Sequence, residues 1–268
     1  MIKFHNLEIK ISGQSVLAQN VSIDQNNSLS PTFAAGRASN LETIPNGPVT
    51  NTISIDYIFE PSGDISQKLV DRIRNYDFNS FPTKISVGGF TGMGYLNNFS
   101  LTIIPNDVIL ANAQYDIFTE LTGALSEQPN NYYASNKSGV GHYITTYSKS
   151  YDGTTTGSIL QGGYSFNSRF QPIYKIGSPV PAQVKFLNGQ EQFNFTHEYP
   201  IKITHSGKTQ QNTFTDFDII ELYPLSKDWE DTNTKTTLYP SSGKLISNKI
   251  NIQENNIILS ETQIIKYY

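Results

Sequence analysis

Cysteine is absent from this chain. That excludes a small secreted fold stapled by disulfides, a thiolate metal site and a cysteine nucleophile. Charge is scarce as well: Asp, Glu, Lys and Arg make up 16% of the 268 residues, with a net charge of −4. Nothing in that balance builds a basic face for tight nucleic-acid binding. No run of about 18 apolar residues occurs, so a transmembrane helix is excluded. The opening MIKFHNLEIKIS is broken by polar residues from the start and does not read as a signal peptide.

What is present points to β structure. Apolar residues make up 37% of the chain, enough for a core. The length suits one large β domain or two of about 130 residues. Asn, Gln, Ser and Thr supply the polar surface. Such a surface suits a protein that meets its own copies, although an AT-rich genome enriches some of the same residues.

Strand signals dominate the order of elements. Leu7 to Ile11, Val16 to Ile23, Thr52 to Phe59, Lys84 to Phe90, Leu96 to Ile104 and Val108 to Phe118 read as strands. In TISIDYIF, Ile53, Ile55, Tyr57 and Phe59 fall on one face. Residues 24–51 are rich in Gly, Pro and Asn and read as an extended loop, long enough to be a partner-binding arm. In DISQKLVDRIRN, Ile65, Leu69, Val70 and Ile73 form one stripe of a short helix over about 64–75. Asp64 with Gln67 makes a capping box there, and Arg72 and Arg74 complement the dipole. Residues 122–158 read as a connection holding one strand, HYITTYS. Strands resume at Ile159 to Phe170, Val184 to Phe186, Gln192 to Ile203, Asp216 to Leu222, Lys244 to Ile252 and Ile257 to Tyr267.

Two hairpins resemble each other. An offset of 149 lays YLNNFSLTIIPNDVILANAQ on its C-terminal counterpart without a gap: Gly94 meets Gly243, Leu96 meets Leu245, Asn106 meets Asn255 and Gln114 meets Gln263. At that offset Gly13 meets Gly162 and Val21 meets Phe170. A second match, at another offset, pairs Asn46-Gly47 with Asn188-Gly189 and Asp56-Tyr57 with Glu198-Tyr199. The pattern predicts a diverged duplication: one β domain over 1–121, a connection over 122–158 and a second β domain over 159–268. The helix has no clear counterpart in the second half, where residues 205–240 read as an insertion.

Chemistry is hard to place on this chain. His5, His142, His197 and His205 form no H-E-x-x-H or H-x-H arrangement. GGFTGMG, residues 88–94, is followed by strand-like residues rather than a helix, so it reads as a turn or bulge and not a phosphate loop. Asp228, Glu230 and Asp231 beside Trp229 lack the spacing of a calcium loop. No G-x-S-x-G elbow occurs, and no feature nominates a pair of catalytic carboxylates. Asn-x-Ser/Thr sequons such as Asn98-Phe-Ser100 and Asn194-Phe-Thr196 are the chance yield of an Asn-rich chain. The expectation is a protein with no catalytic, cofactor-binding or metal-binding residues, and so not an enzyme.

Strand Val16 to Ile23, the loop 24–51, TNTISIDYIFEP, the helix DISQKLVDRIRN and the 95–118 hairpin follow an order that resembles the tail-tube fold of tailed bacteriophages. The resemblance implies two tandem tail-tube-like antiparallel β-sandwich or barrel domains with one short helix in the first. In that family such domains build tail tubes, tail-completing proteins and the hub at the tail tip. Two-domain members assemble as trimers that place six domains around one axis. The implied role is a structural virion protein, tube or baseplate hub, assembled in the host cytoplasm. Its partners would be its own copies, stacked rings, other tail or baseplate proteins and DNA that passes with non-specific contact, with no membrane. Two other readings stay open: a carbohydrate- or receptor-binding β-sandwich, which the 16 tyrosines also fit, and a β-rich cell-wall hydrolase.

Overall fold

Period-2 patterning decides where the core lies. Ile53, Ile55, Tyr57 and Phe59 are buried, and the alternate Thr52, Ser54, Asp56 and Ile58 are half-buried. The computed structural model of the chain describes residues 7–26, 29–33, 35–36, 42–45, 48–59, 65–75, 82–104, 109–127, 142–146, 159–198, 213–214, 220–224, 236–238, 243–252 and 258–268. The fold is mainly β, as the patterning predicts, with antiparallel ladders and one short helix among the described residues.

The first half holds β1 (Ile9–Ile11), β2 (Gln14–Ser15), β3 (Ala18–Asn26), β4 (Leu29–Thr32), β5 (Glu42–Pro45), β6 (Thr50–Ile58), α1 (Ile65–Arg74), β7 (Thr83–Val87), β8 (Phe90–Ile103) and β9 (Leu110–Ile117). β10 (His142–Thr146) stands between the halves. The second half holds β11 (Ile159–Tyr174), β12 (Pro181–Glu198), β13 (Thr213–Phe214), β14 (Ile220–Pro224), β15 (Thr236–Leu238), β16 (Gly243–Ile252) and β17 (Ile258–Tyr267). One sheet runs through both halves: β3, β6, β9, β8, β11, β12, β17 and β16 are neighbours in that order. β10, β14 and β15 form a separate small sheet. The helix buries Ile65, Leu69, Val70 and Ile73, the predicted stripe. At about 1.5–3 kcal/mol each, that burial outweighs the marginal stability of a ten-residue helix alone. The proposed Asp64 cap lies outside the described residues.

Local sequence misleads in three places. Residues 24–51 are not simply an extended loop. β3 runs through Asn26, and Leu29–Thr32 pairs with Glu42–Pro45, so the segment is a hairpin arm carried by β3 and β6. The expected strand Lys84 to Phe90 breaks at Gly88-Gly89, whose φ values of 53° and 108° make the primed two-residue turn that joins β7 to β8. Gly94 serves a different need: a Cβ there would lie 2.9 Å from the Tyr115 Cβ. The expected strands Val184 to Phe186 and Gln192 to Ile203 join in one, β12, which runs across Asn188-Gly189 to Glu198, and residues 199–203 lie outside the described residues. Its opposite partner shifts register there, from Arg169↔Asn188 to Phe170↔Phe186, so a bulge absorbs the interruption.

The two halves share more than the hairpin. The order β3-β6-β9-β8 recurs as β11-β12-β17-β16. Ala18↔Tyr57 and Asn20↔Asp56 recur as Ile159↔His197 and Gln161↔Thr196, each pair of rungs enclosing a register shift. Asn51↔Ile117 and Ile58↔Leu110 recur as Glu191↔Lys266 and Glu198↔Leu259. Leu96↔Tyr115 and Asn98↔Gln114 recur as Leu245↔Ile264 and Ser247↔Gln263, again around a shift. These ladders place Val21 on Gly162, which displaces both the Val21–Phe170 and the Gly13–Gly162 matches, and Asp56-Tyr57 on Thr196-His197 rather than on Glu198-Tyr199. The hairpin match itself stands in register.

One apolar cluster spans the joint between the halves. Phe59, Phe99, Tyr164 and Phe193 follow one another with ring centroids 6.4, 6.1 and 4.8 Å apart. Glu191 is wholly buried in this region. It is satisfied by the Tyr164 hydroxyl at 2.8 Å and by the Tyr268 hydroxyl. Its counterpart Asn51 is buried too, and donates to the Thr119 carbonyl at 2.6 Å. Each of the two side chains thus anchors the chain just beyond the last strand of its half. Tyr164→Phe removes one donor from a buried carboxylate. Its expected cost is about 1–3 kcal/mol, read from urea unfolding, and an unchanged midpoint would show that the bond contributes nothing.

Candidate functional site: a polar sheet face between two open edges

The residues that alternate with the core all turn to the other face of the eight-strand sheet. On β3 these are Asn20, Ser22, Asp24 and Asn26, on β6 Thr52, Ser54 and Asp56, and on β9 Asn112, Gln114 and Asp116. β8 adds Asn98, Ser100 and Thr102; β11 adds Gln161, Ser165 and Asn167; β12 adds Gln192, Asn194 and Thr196. β16 adds Ser247, Lys249 and Asn251. This face is a carpet of amides and hydroxyls crossed by carboxylates. Across the described strand segments just named, Asp24, Asp56 and Asp116 face Lys249 alone among cations, with Arg169 standing just beyond, where the second arm begins.

Hydrogen bonds fix these side chains across the strands. Asn112 Nδ2 donates to Asp56 Oδ1 at 2.6 Å and to Ser54 Oγ at 3.1 Å, and Asn20 Nδ2 donates to Asp56 Oδ2 at 3.3 Å. Asn98 Nδ2 donates to Asn167 Oδ1 at 2.8 Å across the joint between the halves. Asn97, the extra residue of the β8 bulge, donates to Asp116 at 2.9 Å. Burial pushes the Asp116 carboxyl up, the Asn97 bond pulls it down, and burial wins.

At each end of the sheet, among the described residues, a strand lacks one neighbour. Among the described residues β3 ladders only with β6, and β16 only with β17 and with the two residues of β13. An open edge is a template for another strand. Two hairpin arms leave the sheet as well, residues 27–49 and residues 168–189, of nearly equal length and in equivalent places. Phe33 is exposed on the first, and Ile173, Ile176, Val180 and Leu187 on the second. Exposed apolar residues grouped on a projection mark a contact surface.

Residues considered for chemistry from the sequence are scattered. His142 opens β10 opposite Pro224, and His197 lies in β12 opposite Ile159 and Ser260. His5, His205 and the Asp228–Asp231 cluster fall outside the described residues. Gly88 to Gly94 is a turn and the start of a strand. Which strands form the edges and the joint was not read from the sequence, because both are main-chain properties. The signal that carried them was the repeated hairpin.

The raised Asp116 pKa has a testable sign. The folded state favours the protonated form, so the stability Asp116 contributes is full below the ordinary carboxylate value of about 3.9 and is lost as pH rises through the raised folded value. Asp116→Asn removes that loss. The variant's thermal midpoint should gain on the parent's more at pH 7 than at pH 4; equal differences at both would refute the assignment.

No protein-family model matches the chain, and no curated protein matches it. Among solved structures it is similar to the Dit (gp 19.1) protein of phage SPP1, described as a paradigm of the hub adsorption apparatus in phages that infect Gram-positive bacteria. The identity is 10% and the TM-score 0.24, over 98% of this chain and 99% of that one. A likeness of that degree fixes neither fold nor function.

Proposed function

We propose that the protein is a non-enzymatic structural component of a phage tail, in which three chains close a pseudo-hexameric ring of tube or hub around a channel for DNA. The observation that carries the reading is the eight-strand sheet itself: one face buried, one face polar, and, among the described residues, an edge at either end with no further ladder. Such a sheet closes only by meeting copies of itself. Three chains of eight strands make a barrel of ~24 strands, wider than the 16–18-stranded barrels that already hold an aqueous channel. The polar face would then line the lumen. Its amides and hydroxyls are neutral and its carboxylates outnumber Lys249, so phosphates meet weak repulsion and no sticky cations. The recurring ladders, bulges and arms support descent of the two halves from one duplicated tail-tube-like domain.

Ring closure around one axis requires a repeated head-to-tail contact, with different surfaces on its two sides. The open edges of β3 and β16 are such a pair. The experiment is the mass of the purified chain by light scattering, with micrographs of the same sample. Particles of three times 29.9 kDa with threefold symmetry, or tubes built from them, are expected. A monomer at every concentration would overturn the reading.

The arms suit contact between successive rings. Replacing residues 29–45 by a short Gly-Ser link removes the β4–β5 ladder and leaves the core residues in place. The thermal midpoint is expected to stay within about 3 °C while stacking of rings into longer particles is lost. A midpoint that collapses would show instead that the arm belongs to the core.

A further inference from the structure

The joint between the halves has two sides, and each side occurs twice in the chain. β8 is flanked by β7 along Phe90–Gly94 and by β11 along Asn98–Ile103. β16, its counterpart, is flanked by β13 at Gly243 and Lys244. Among the described residues it has no second ladder along Ser247–Ile252, which corresponds to Asn98–Ile103. β11 uses Gly162–Asn167 in the joint, and its counterpart on β3 is Val21–Asn26, which ladders with β6 alone among the described residues. The chain therefore carries a second copy of each half-joint, at opposite ends of one sheet.

We propose that β16 of one copy pairs antiparallel with β3 of a second copy, in the register that the internal joint dictates. This deepens the assembly reading above and rests on it. Asn98↔Asn167 becomes Ser247 opposite Asn26, and Ser100↔Ser165 becomes Lys249 opposite Asp24. Thr102↔Gly163 becomes Asn251 opposite Ser22. At the alternate rungs Leu101↔Tyr164 becomes Ile250 opposite Ile23, Ile103↔Gly162 becomes Ile252 opposite Val21, and Phe99↔Phe166 becomes Asn248 opposite Gln25. The register follows from main-chain equivalence alone, yet it sets the one lysine of this edge opposite the one aspartate of the other and β-branched apolar residues opposite each other. A slip of one residue sets Asp24 opposite Ile250 or Asn248 and moves every apolar residue to the polar face. A slip of two sets it opposite Asn251 or Ser247. Only the dictated register gives the charge pair, and opposite charges across a ladder are favourable where like charges are not.

A cysteine-free chain makes the test direct. In the full-length protein, Asn26→Cys with Ser247→Cys puts two thiols opposite each other between copies. The equivalent pair in the joint, Asn98 and Asn167, is close enough to hydrogen-bond through side chains, and directly opposed Cα atoms at about 4.5–5.5 Å lie within disulfide reach. Asp24→Cys with Ser247→Cys is two residues out of register, about 7 Å further along the strand. On mild oxidation the first variant is expected to give disulfide-linked species that stop at three chains, and the second at least tenfold less. Asp24→Lys sets a lysine opposite Lys249 and should weaken assembly by roughly threefold to tenfold. Full-mass particles with no linkage at 26 and 247, or with equal linkage in the offset pair, would overturn this register and leave the ring reading intact. A parent chain that stays monomeric would remove both.

Discussion

An exposed strand edge asks for a partner, and that demand organises this protein. Main-chain donors and acceptors along an edge must be paired, covered or left to water. Inside the chain the demand is met at the joint, where β8 of the first half takes β11 of the second as its neighbour. The joint makes one sheet of two units and lets a single apolar cluster run from Phe59 to Phe193. Everything outward of it follows: a core face on one side, a polar face on the other, and, among the described residues, the same demand passed on to β3 and β16.

Polar residues are used in two different ways. On the open face they satisfy each other in short chains, such as Asn20, Asp56 and Asn112, so that the strands are tied without apolar contact. In the core Asn51 and Glu191, one in each half, reach the segment that follows the last strand. The two residues differ in chemistry and act on different groups, but they stand at the same rung of the ladder. Position, more than side-chain identity, is what the halves have in common.

Much of the framework was legible in the residues because it is local. TISIDYIF shows its buried face by alternation, and Ile65, Leu69, Val70 and Ile73 show a helix by theirs. The two hairpins were legible because their strands are joined by short turns. The arm over 27–49 was not, because β4 and β5 are short and each carries a proline, so they read as a loop. The run of β12 through Asn188-Gly189 was hidden by turn-forming residues that a bulge accommodates. The joint left no local trace at all. Ile103 and Gly162 are far apart in sequence, and no periodicity announces a ladder between them. The polar face was visible as composition, but its continuity across both halves depends on that joint.

The extra residues of the bulges recur at matching rungs of the two halves. Gln19 in β3 and Leu160 in β11 stand at one equivalent position, Asn97 in β8 and Ile246 in β16 at another, and within each pair the side chains differ. A bulge is an insertion recorded in the backbone. If one ancestral domain was copied, both insertions were already present in it, and they have outlasted nearly every side chain around them. Substitutions at these sites were free to accumulate, whereas removing one residue would have flipped the rest of the strand inside out. In such a lineage the register of the ladders keeps a more faithful record of descent than the letters of the sequence.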